Sequence, residues 1–260
     1  MPHYYSKEGV PHFDVTPKVA QEMGLLWSVT EIQKVEASPG LDRWRLNTAI
    51  QYASENEMHM DEDIKSYQKR VLKGMYEGNS ATALGTKIHD AIEKVLSEEM
   101  DRGDIDDDLV PFVDPALDYF YEKKFKIIDL ERIVVNRDEG YAGTADVIAK
   151  TTNDQDFILD WKSTKTIPSK PYPSHPEQIS AYAVAQFGYE RVMRGEIWGA
   201  NAYINTHEVY KRGEKKGQAK FRVHSYRPEE LAEAYQRFQI VNELWRIRNN
   251  YDAREQNSSN

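Results

Sequence analysis

Between Glu131 and Lys162 the helical periodicity of the preceding chain stops. Three short segments rich in β-branched residues follow, Glu131 to Asn136, Tyr141 to Lys150 and Phe157 to Lys162, separated by Asp138-Glu139-Gly140 and Thr152-Asn153-Asp154. Clusters of that kind reverse an extended chain, so the stretch predicts a three-stranded antiparallel meander. Amphipathic stretches flank it on both sides, which predicts an α/β (α+β) fold with helices packed on a sheet. The clearest of these runs from about Ala81 to Met100, where Leu84, Ile88, Ile92 and Val95 recur at spacings of three and four in one apolar stripe.

A length of 260 residues is at the upper end for one α/β domain and buries a sizeable core without a second one. Residues 1–78 are expected to form an irregular and helical region packed on or arching over the core, residues 79–252 the core itself, and residues 253–260 a disordered tail. Pro2, Pro11, Pro17 and Pro39 break up the first 40 residues, where Ser28 to Val35 supplies a short helix capped by Ser28 or Thr30. Leu41 to about Gly78 reads as mainly helical. Further helices are expected from about Pro115 to Lys126, Pro176 to Arg194 and Pro228 to Asn250, and two more strands from Ile197 to Asn205 and Lys220 to Tyr226.

The chain has no cysteine, which excludes disulfides, thiolate zinc sites, cysteine-ligated iron–sulfur clusters and cysteine nucleophiles. Any metal must sit on oxygen or imidazole. No apolar run approaches bilayer length, and Met1 to Phe13 lacks the basic-then-apolar pattern of a signal peptide, so the expected setting is intracellular with no membrane partner. A net charge of −9 argues against nonspecific coating of nucleic acid, although charge acts locally. Lys211, Arg212, Lys215, Lys216, Lys220 and Arg222 occur together with the single acid Glu214. They form either a stripe that meets a phosphate backbone or a solvated hairpin tip.

Two acids on consecutive strands carry the chemistry. Asp146 ends Gly143-Thr144-Ala145-Asp146, and Asp160 stands two residues before Lys162 in Leu159-Asp160-Trp161-Lys162. Residues i and i+2 of a strand share a face, so Asp160 and Lys162 project together while Trp161 points away. With Asp146 alongside, the two carboxylates repel unless a cation lies between them, and carboxylate oxygens are what Mg²⁺ and Mn²⁺ prefer. An Asp-x-Lys alone is common and forms ordinary surface ion pairs. Here Phe157-Ile158-Leu159 leads into it as a buried strand would, where a charged pair is costly without compensation. His89, in Gly85-Thr86-Lys87-Ile88-His89, adds an imidazole, and Glu93 one turn further shares its helical face. Gln178 and Tyr182, also one turn apart, either hydrogen-bond a phosphate or hold the lysine; Tyr182 serves equally well as a core aromatic.

Taken in order, the His89 segment with Glu93, Gly143 to Asp146, Asp160-Trp161-Lys162-Ser163-Thr164 and Gln178-Ile179-Ser180-Ala181-Tyr182 resemble the motifs of RecB-like nucleases, a branch of the PD-(D/E)xK superfamily. Ser28-Val29-Thr30-Glu31-Ile32, with Pro39-Gly40-Leu41 and Trp44, is similar to the opening of its phage and mitochondrial exonucleases. The resemblance implies a restriction-endonuclease-like core, a central mixed sheet flanked by helices, with helical N-terminal additions. It implies that His89, Asp146, Asp160 and the main-chain carbonyl of Trp161 bind one or two Mg²⁺ or Mn²⁺ ions, with Glu93 as a further candidate. It assigns Lys162 to positioning or activating the attacking water, Gln178 and Tyr182 to supporting the lysine or the scissile phosphate, and Ser163 and Thr164 to the nucleic-acid backbone. Ala145 replaces the proline of the superfamily's name, and the lack of cysteine matches the members without an iron–sulfur cluster.

The implied activity is metal-dependent hydrolysis of DNA, as an exonuclease on single strands or DNA ends in recombination, repair or phage DNA processing, with a recombination, annealing or helicase partner. Trp27, Trp44 and Tyr52 are its candidate stacking surfaces, or else core residues. A structure- or site-specific endonuclease and an inert DNA-binding or assembly subunit are the alternatives. A carboxylate-pair glycosidase would leave the lysine unexplained.

Overall fold

The computed structural model describes residues 3–36, 39–77 and 80–255. The chain opens with two short strands, β1 (Tyr4–Tyr5) and β2 (Pro11–His12), then helix α1 (Pro17–Glu22) and strand β3 (Leu26–Ser28). Ser28 ends β3 and caps α2 (Val29–Gln33), its hydroxyl accepting the Glu31 amide at 3.2 Å. Helices α3 (Pro39–Glu55) and α4 (Ile64–Glu77) pack on each other. The Tyr67 hydroxyl donates to the Ala53 carbonyl, and the Tyr52 ring fills the space a side chain at Gly74 would need.

Helices α5 (Ser80–Leu96) and α6 (Val110–Lys123) lead to β4 (Lys126–Asn136), β5 (Tyr141–Lys150) and β6 (Asp156–Thr164). After them come α7 (Ser174–Phe187), α8 (Tyr189–Met193), β7 (Ile197–Val209), β8 (Ala219–Tyr226) and α9 (Pro228–Asn249).

The sheet is mixed and its order is β2-β1-β3-β5-β6-β7-β8, with β4 paired to β5. β4, β5 and β6 form the expected antiparallel meander, β6 and β7 are parallel across the α7–α8 crossover, and β7 and β8 make a hairpin. β4 pairs with β5 along its length, so β3, parallel at Tyr141 and Ala142, and β6, antiparallel from Val147 to Lys150, must share the other edge of β5. Residues 143–146 of β5 lie between those two pairings.

Alternation along β6 sorts its side chains into two apolar layers. Ile158 joins a core with Ile179 and Ala183 of α7, Leu231 and Phe238 of α9 and Val29 and Ile32 of α2. Phe157, Leu159 and Trp161 join another with Ile88 and Ile92 of α5 and Leu117 and Phe120 of α6. The architecture is therefore α/β, with helices covering both faces of the sheet.

Several expectations change. Among residues 3–36, expected to be mostly irregular, β1, β3 and α2 belong to the central sheet and core. The helix expected to reach Met100 ends at Leu96, because Glu98 turns left-handed (φ 63°) and the Glu99 and Met100 amides both return to the Lys94 carbonyl. The helix expected from Pro115 begins at Val110, with Pro111 in its first turn. The helix expected over Pro176 to Arg194 is split at Gly188, whose φ of 91° breaks the helical path. Tyr251 and Ala253 are buried in the core, so order continues past Asp252, while residues 256–260 lie outside the described residues. Among the described residues no helix is long and apolar enough to cross a membrane.

Candidate active site

β5 and β6 pair only from Val147↔Leu159 to Lys150↔Asp156; beyond that point β6 pairs with β7 alone. The two strands therefore part like a fork, and Asp146 and Asp160 stand at its mouth. With no strand opposite it, the Trp161 amide donates to Oδ2 of Asp146 at 2.8 Å. An extended residue sends its N–H and C=O to the same strand edge, so the Trp161 carbonyl opens into the fork as well. Its indole is buried on the α5–α6 side, as alternation requires.

On the α7 side, Lys162 Nζ meets Asp160 Oδ2 at 2.8 Å and donates to Gln178 Oε1 at 2.8 Å. The Gln178 amide in turn donates to the Tyr182 hydroxyl at 2.9 Å, and both residues are buried. The Tyr182 ring lies so close to β5 that a Cβ at Gly143 would be 2.5 Å from it, so the glycine is what admits the tyrosine. Gln178 and Tyr182 thus support the lysine. His89, on α5, lies within electrostatic reach of Asp160 and Lys162, and its Nε2 is buried without a hydrogen-bond partner among the described residues.

Electrostatics express the crowding of charge. Burial, then Asp160 and Glu131, push the Asp146 carboxyl well above the ordinary range, against the Lys162 ammonium and the Trp161 amide. Burial lowers the His89 imidazole, and the charges of Asp160 and Lys162 reach it with opposite signs. Glu131 is raised to about 7 by burial and by Glu93, Asp160 and Asp90. It stands opposite Asp146, between the pairs Leu130↔Val147 and Arg132↔Ala145, in a left-handed conformation (φ 45°) that costs a non-glycine residue about 1–3 kcal/mol.

Among the described residues no three His, Asp or Glu side chains stand together at metal-holding spacing. The donor types nevertheless fit a hard divalent cation: two buried carboxylates at one fork, and an imidazole nitrogen with no partner among the described residues. In this arrangement the Lys162 ammonium supplies the positive charge beside Asp160.

Other sequence-derived candidates fare differently. Glu93 acts on Glu131, and among the described residues nothing ties it to Asp146 or Asp160. Among the described residues the Ser163 hydroxyl is buried without a partner, with Ser163 packed against Gly85 of α5, and the Thr164 hydroxyl donates to the Thr166 carbonyl at 2.9 Å. Trp27 is core, its ring 4.6 Å from that of Trp245, so it is no stacking surface, and the half-buried Tyr52 packs on Gly74. The side chain of Trp44 lies outside the described residues. Lys211, Arg212, Lys215 and Lys216 are exposed at the β7–β8 tip. Since β7 leaves Tyr203, the partner of Lys162, and runs on to Val209, the tip lies about 20 Å beyond the lysine at about 3.3 Å per residue.

Sequence reasoning missed Glu131 and a buried polar chain on β7 and β8. Asn201, paired in register with Asp160, donates to its Oδ2 at 2.9 Å and accepts the Tyr226 hydroxyl at 2.7 Å. His175 Nδ1 and the Tyr203 hydroxyl share a 2.7 Å hydrogen bond beside Lys162. Burial and the lysine lower that imidazole to about 4. A polar residue inside an otherwise apolar strand, as in Gly199-Ala200-Asn201-Ala202, was the available signal.

No protein-family model matches the sequence, and no curated protein does. Among solved structures, that of SSO0001 matches at 11% identity over 77% of this chain and 86% of that one, with a TM-score of 0.32.

Proposed function

We propose that this chain is a metal-dependent nuclease with a PD-(D/E)xK core, hydrolysing DNA phosphodiesters as an exonuclease on single strands or DNA ends. The observation that carries the reading is the fork itself, where Asp146, Asp160 and Lys162 converge and His89 presents an unpartnered, buried nitrogen. An acid pair that repels and an amine on the same spot suit a phosphoryl group held beside a cation, and suit little else. His89, Asp146, Asp160 and the Trp161 carbonyl would hold Mg²⁺ or Mn²⁺, which supplies charge to polarise the phosphoryl oxygen and lower the pKa of the attacking water.

The Lys162 amine stands beside Asp160, where negative charge would grow on the phosphoryl oxygens. Gln178 fixes its direction, Tyr182 fixes Gln178, and Asn201 with Tyr226 fixes the Asp160 carboxylate. The exposed cations at the β7–β8 tip would meet the DNA backbone away from the chemistry.

The test is digestion of 5′- and 3′-labelled single- and double-stranded DNA with Mg²⁺, Mn²⁺ or chelator, beside Asp160→Asn. Metal-dependent release of label by the wild type and none by the variant is expected; wild-type protein that cleaves nothing under any condition removes the reading. Covalently closed circle lost as fast as linear DNA would make the enzyme an endonuclease. The second reading is an inert DNA-binding or assembly subunit, favoured by the lack of a group of three metal-ligand side chains among the described residues. Calorimetry with Mn²⁺ separates the two, since only the inert subunit takes up no metal.

A further inference from the structure

The loop from β6 to α7 leaves the lysine without an acid. Between Asp160 and Glu177 the only residues of fixed charge are Lys162, Lys165 and Lys170, in a chain whose net charge is −9. The loop is also held in shape. Thr164 donates to the Thr166 carbonyl at 2.9 Å, Arg222 Nη1 to the Pro168 carbonyl at 3.3 Å, and the His175 amide to the Tyr172 carbonyl at 3.0 Å.

Tyr172 sits within this loop between Pro171 and Pro173, which restrict its backbone from both sides, and its side chain is 61% exposed. His175 meets its ring edge-on at 5.3 Å and 87°. His175 in turn is hydrogen-bonded to Tyr203, the β7 partner of Lys162. Three rings thus lead from solvent to the lysine, and the backbone of the outermost has little further freedom to lose on binding. An exposed aromatic on a loop whose Lys165 and Lys170 have no acidic partner among the described residues matches the two demands of a single nucleic-acid strand, a stacking face for a base and positive charge for its phosphates. A base inside a duplex is already stacked on both neighbours and has no face to offer.

We propose that Tyr172 is a stacking platform for a base of an unpaired DNA strand whose phosphate lies at Lys162, with Lys165 and Lys170 on neighbouring phosphates. The placement of that phosphate rests on the nuclease reading; the platform itself is tested without cleavage. In chelator, anisotropy of a fluorescent oligo-dT strand and of a loop-free blunt duplex of two strands reads binding alone. Tyr172→Ala should weaken oligo-dT binding about tenfold, within the range of one lost base–aromatic stack, and leave the duplex unchanged. Tyr172→Phe should bind like the wild type, because the ring stacks and the hydroxyl does not.

Lys165→Ala and Lys170→Ala should each lower the slope of log Kd against log salt by about 0.7, the value for one single-strand phosphate. Oligo-dT binding unchanged in Tyr172→Ala, loss of strand and duplex alike, or no oligo-dT binding by the wild type would each overturn the platform. A wild type that cleaves no DNA but loses oligo-dT affinity on Tyr172→Ala removes the nuclease reading and keeps the platform. Cleavage with the same single-strand KM in both proteins does the reverse.

Discussion

An ammonium group has three donors, and at the fork two of Lys162's are taken, by Asp160 and by Gln178. Among the described residues the third has no partner, with 24% of the side chain exposed, and on the proposed reading it meets a phosphoryl oxygen. A donor aimed where charge develops acts on the transition state more than on the bound ground state, so Lys162→Ala should lower kcat by about 10²–10³ while the Kd for an oligonucleotide in chelator changes only a few-fold. Cleavage at the wild-type rate would remove that role.

A different buried charge governs stability. Glu177 is almost fully buried, within 3.4 Å of Gln33 and 3.6 Å of Arg237, and burial and Glu36 raise it from 4.5 to about 7. Its folded pKa lies above its unfolded one, so its contribution is complete below pH 4.5 and is lost as pH rises through about 7. The loss is on the order of 3 kcal/mol. Urea midpoints of Glu177→Gln should fall less than those of the wild type between pH 4.5 and 8; parallel curves would show that other groups set the slope. Asp160 and Lys162 were legible as a pair because alternation puts i and i+2 together whatever surrounds them. Asn201 was not, since it meets Asp160 only through the parallel pairing of strands separated by two helices.

At the scale of elements, the lysine is placed by how closely α7 lies on β5. Gly143 allows that approach, and its replacement by alanine would set a methyl group against the Tyr182 ring and disturb the Tyr182–Gln178–Lys162 line. Overpacking of this kind costs about 1–3 kcal/mol. Gly143→Ala should therefore lower the denaturation midpoint and kcat together; full activity with full stability would mean that α7 shifts without moving the lysine.

The meander, α5, α7 and α9 were legible because each repeats a period long enough to read, with Ile88, Ile92 and Val95 falling on one buried stripe as expected. β1 and β3 were not, since two or three residues carry no period, and Pro2 and Pro11 pointed to loops. Gly188 was readable as a breaker only by its residue type; its left-handed φ depends on where α8 must go.

At the scale of the molecule, the site exists because two parts of the sheet leave one edge of β5, β3 toward the N-terminal strands and β6 toward β7 and β8. The gap between them exposes backbone and gathers acids whose mutual repulsion burdens the fold. A cation that relieves the repulsion should stabilise the protein by about 2.7 kcal/mol at a hundredfold excess over its Kd. For a chain of this size that is a rise in Tm of about 5–10 °C with Mn²⁺. The rise should be absent in Asp160→Asn; an equal rise in both proteins would locate the cation elsewhere.

The sequence alone determined what depends on neighbours along the chain: the meander, the helical stripes, the shared face of Asp160 and Lys162, and the absence of thiol chemistry, because periods of two and 3.6 act over a few residues. Only the tertiary structure decided that β3 and β6 share an edge, that Glu131 and Asn201 join the acids, that Ser163 packs on α5, and that Trp27 is core while Tyr172 is exposed. Strand pairing joins residues far apart in the chain, and it is selected by burying two apolar faces of one sheet at once, which no local pattern encodes.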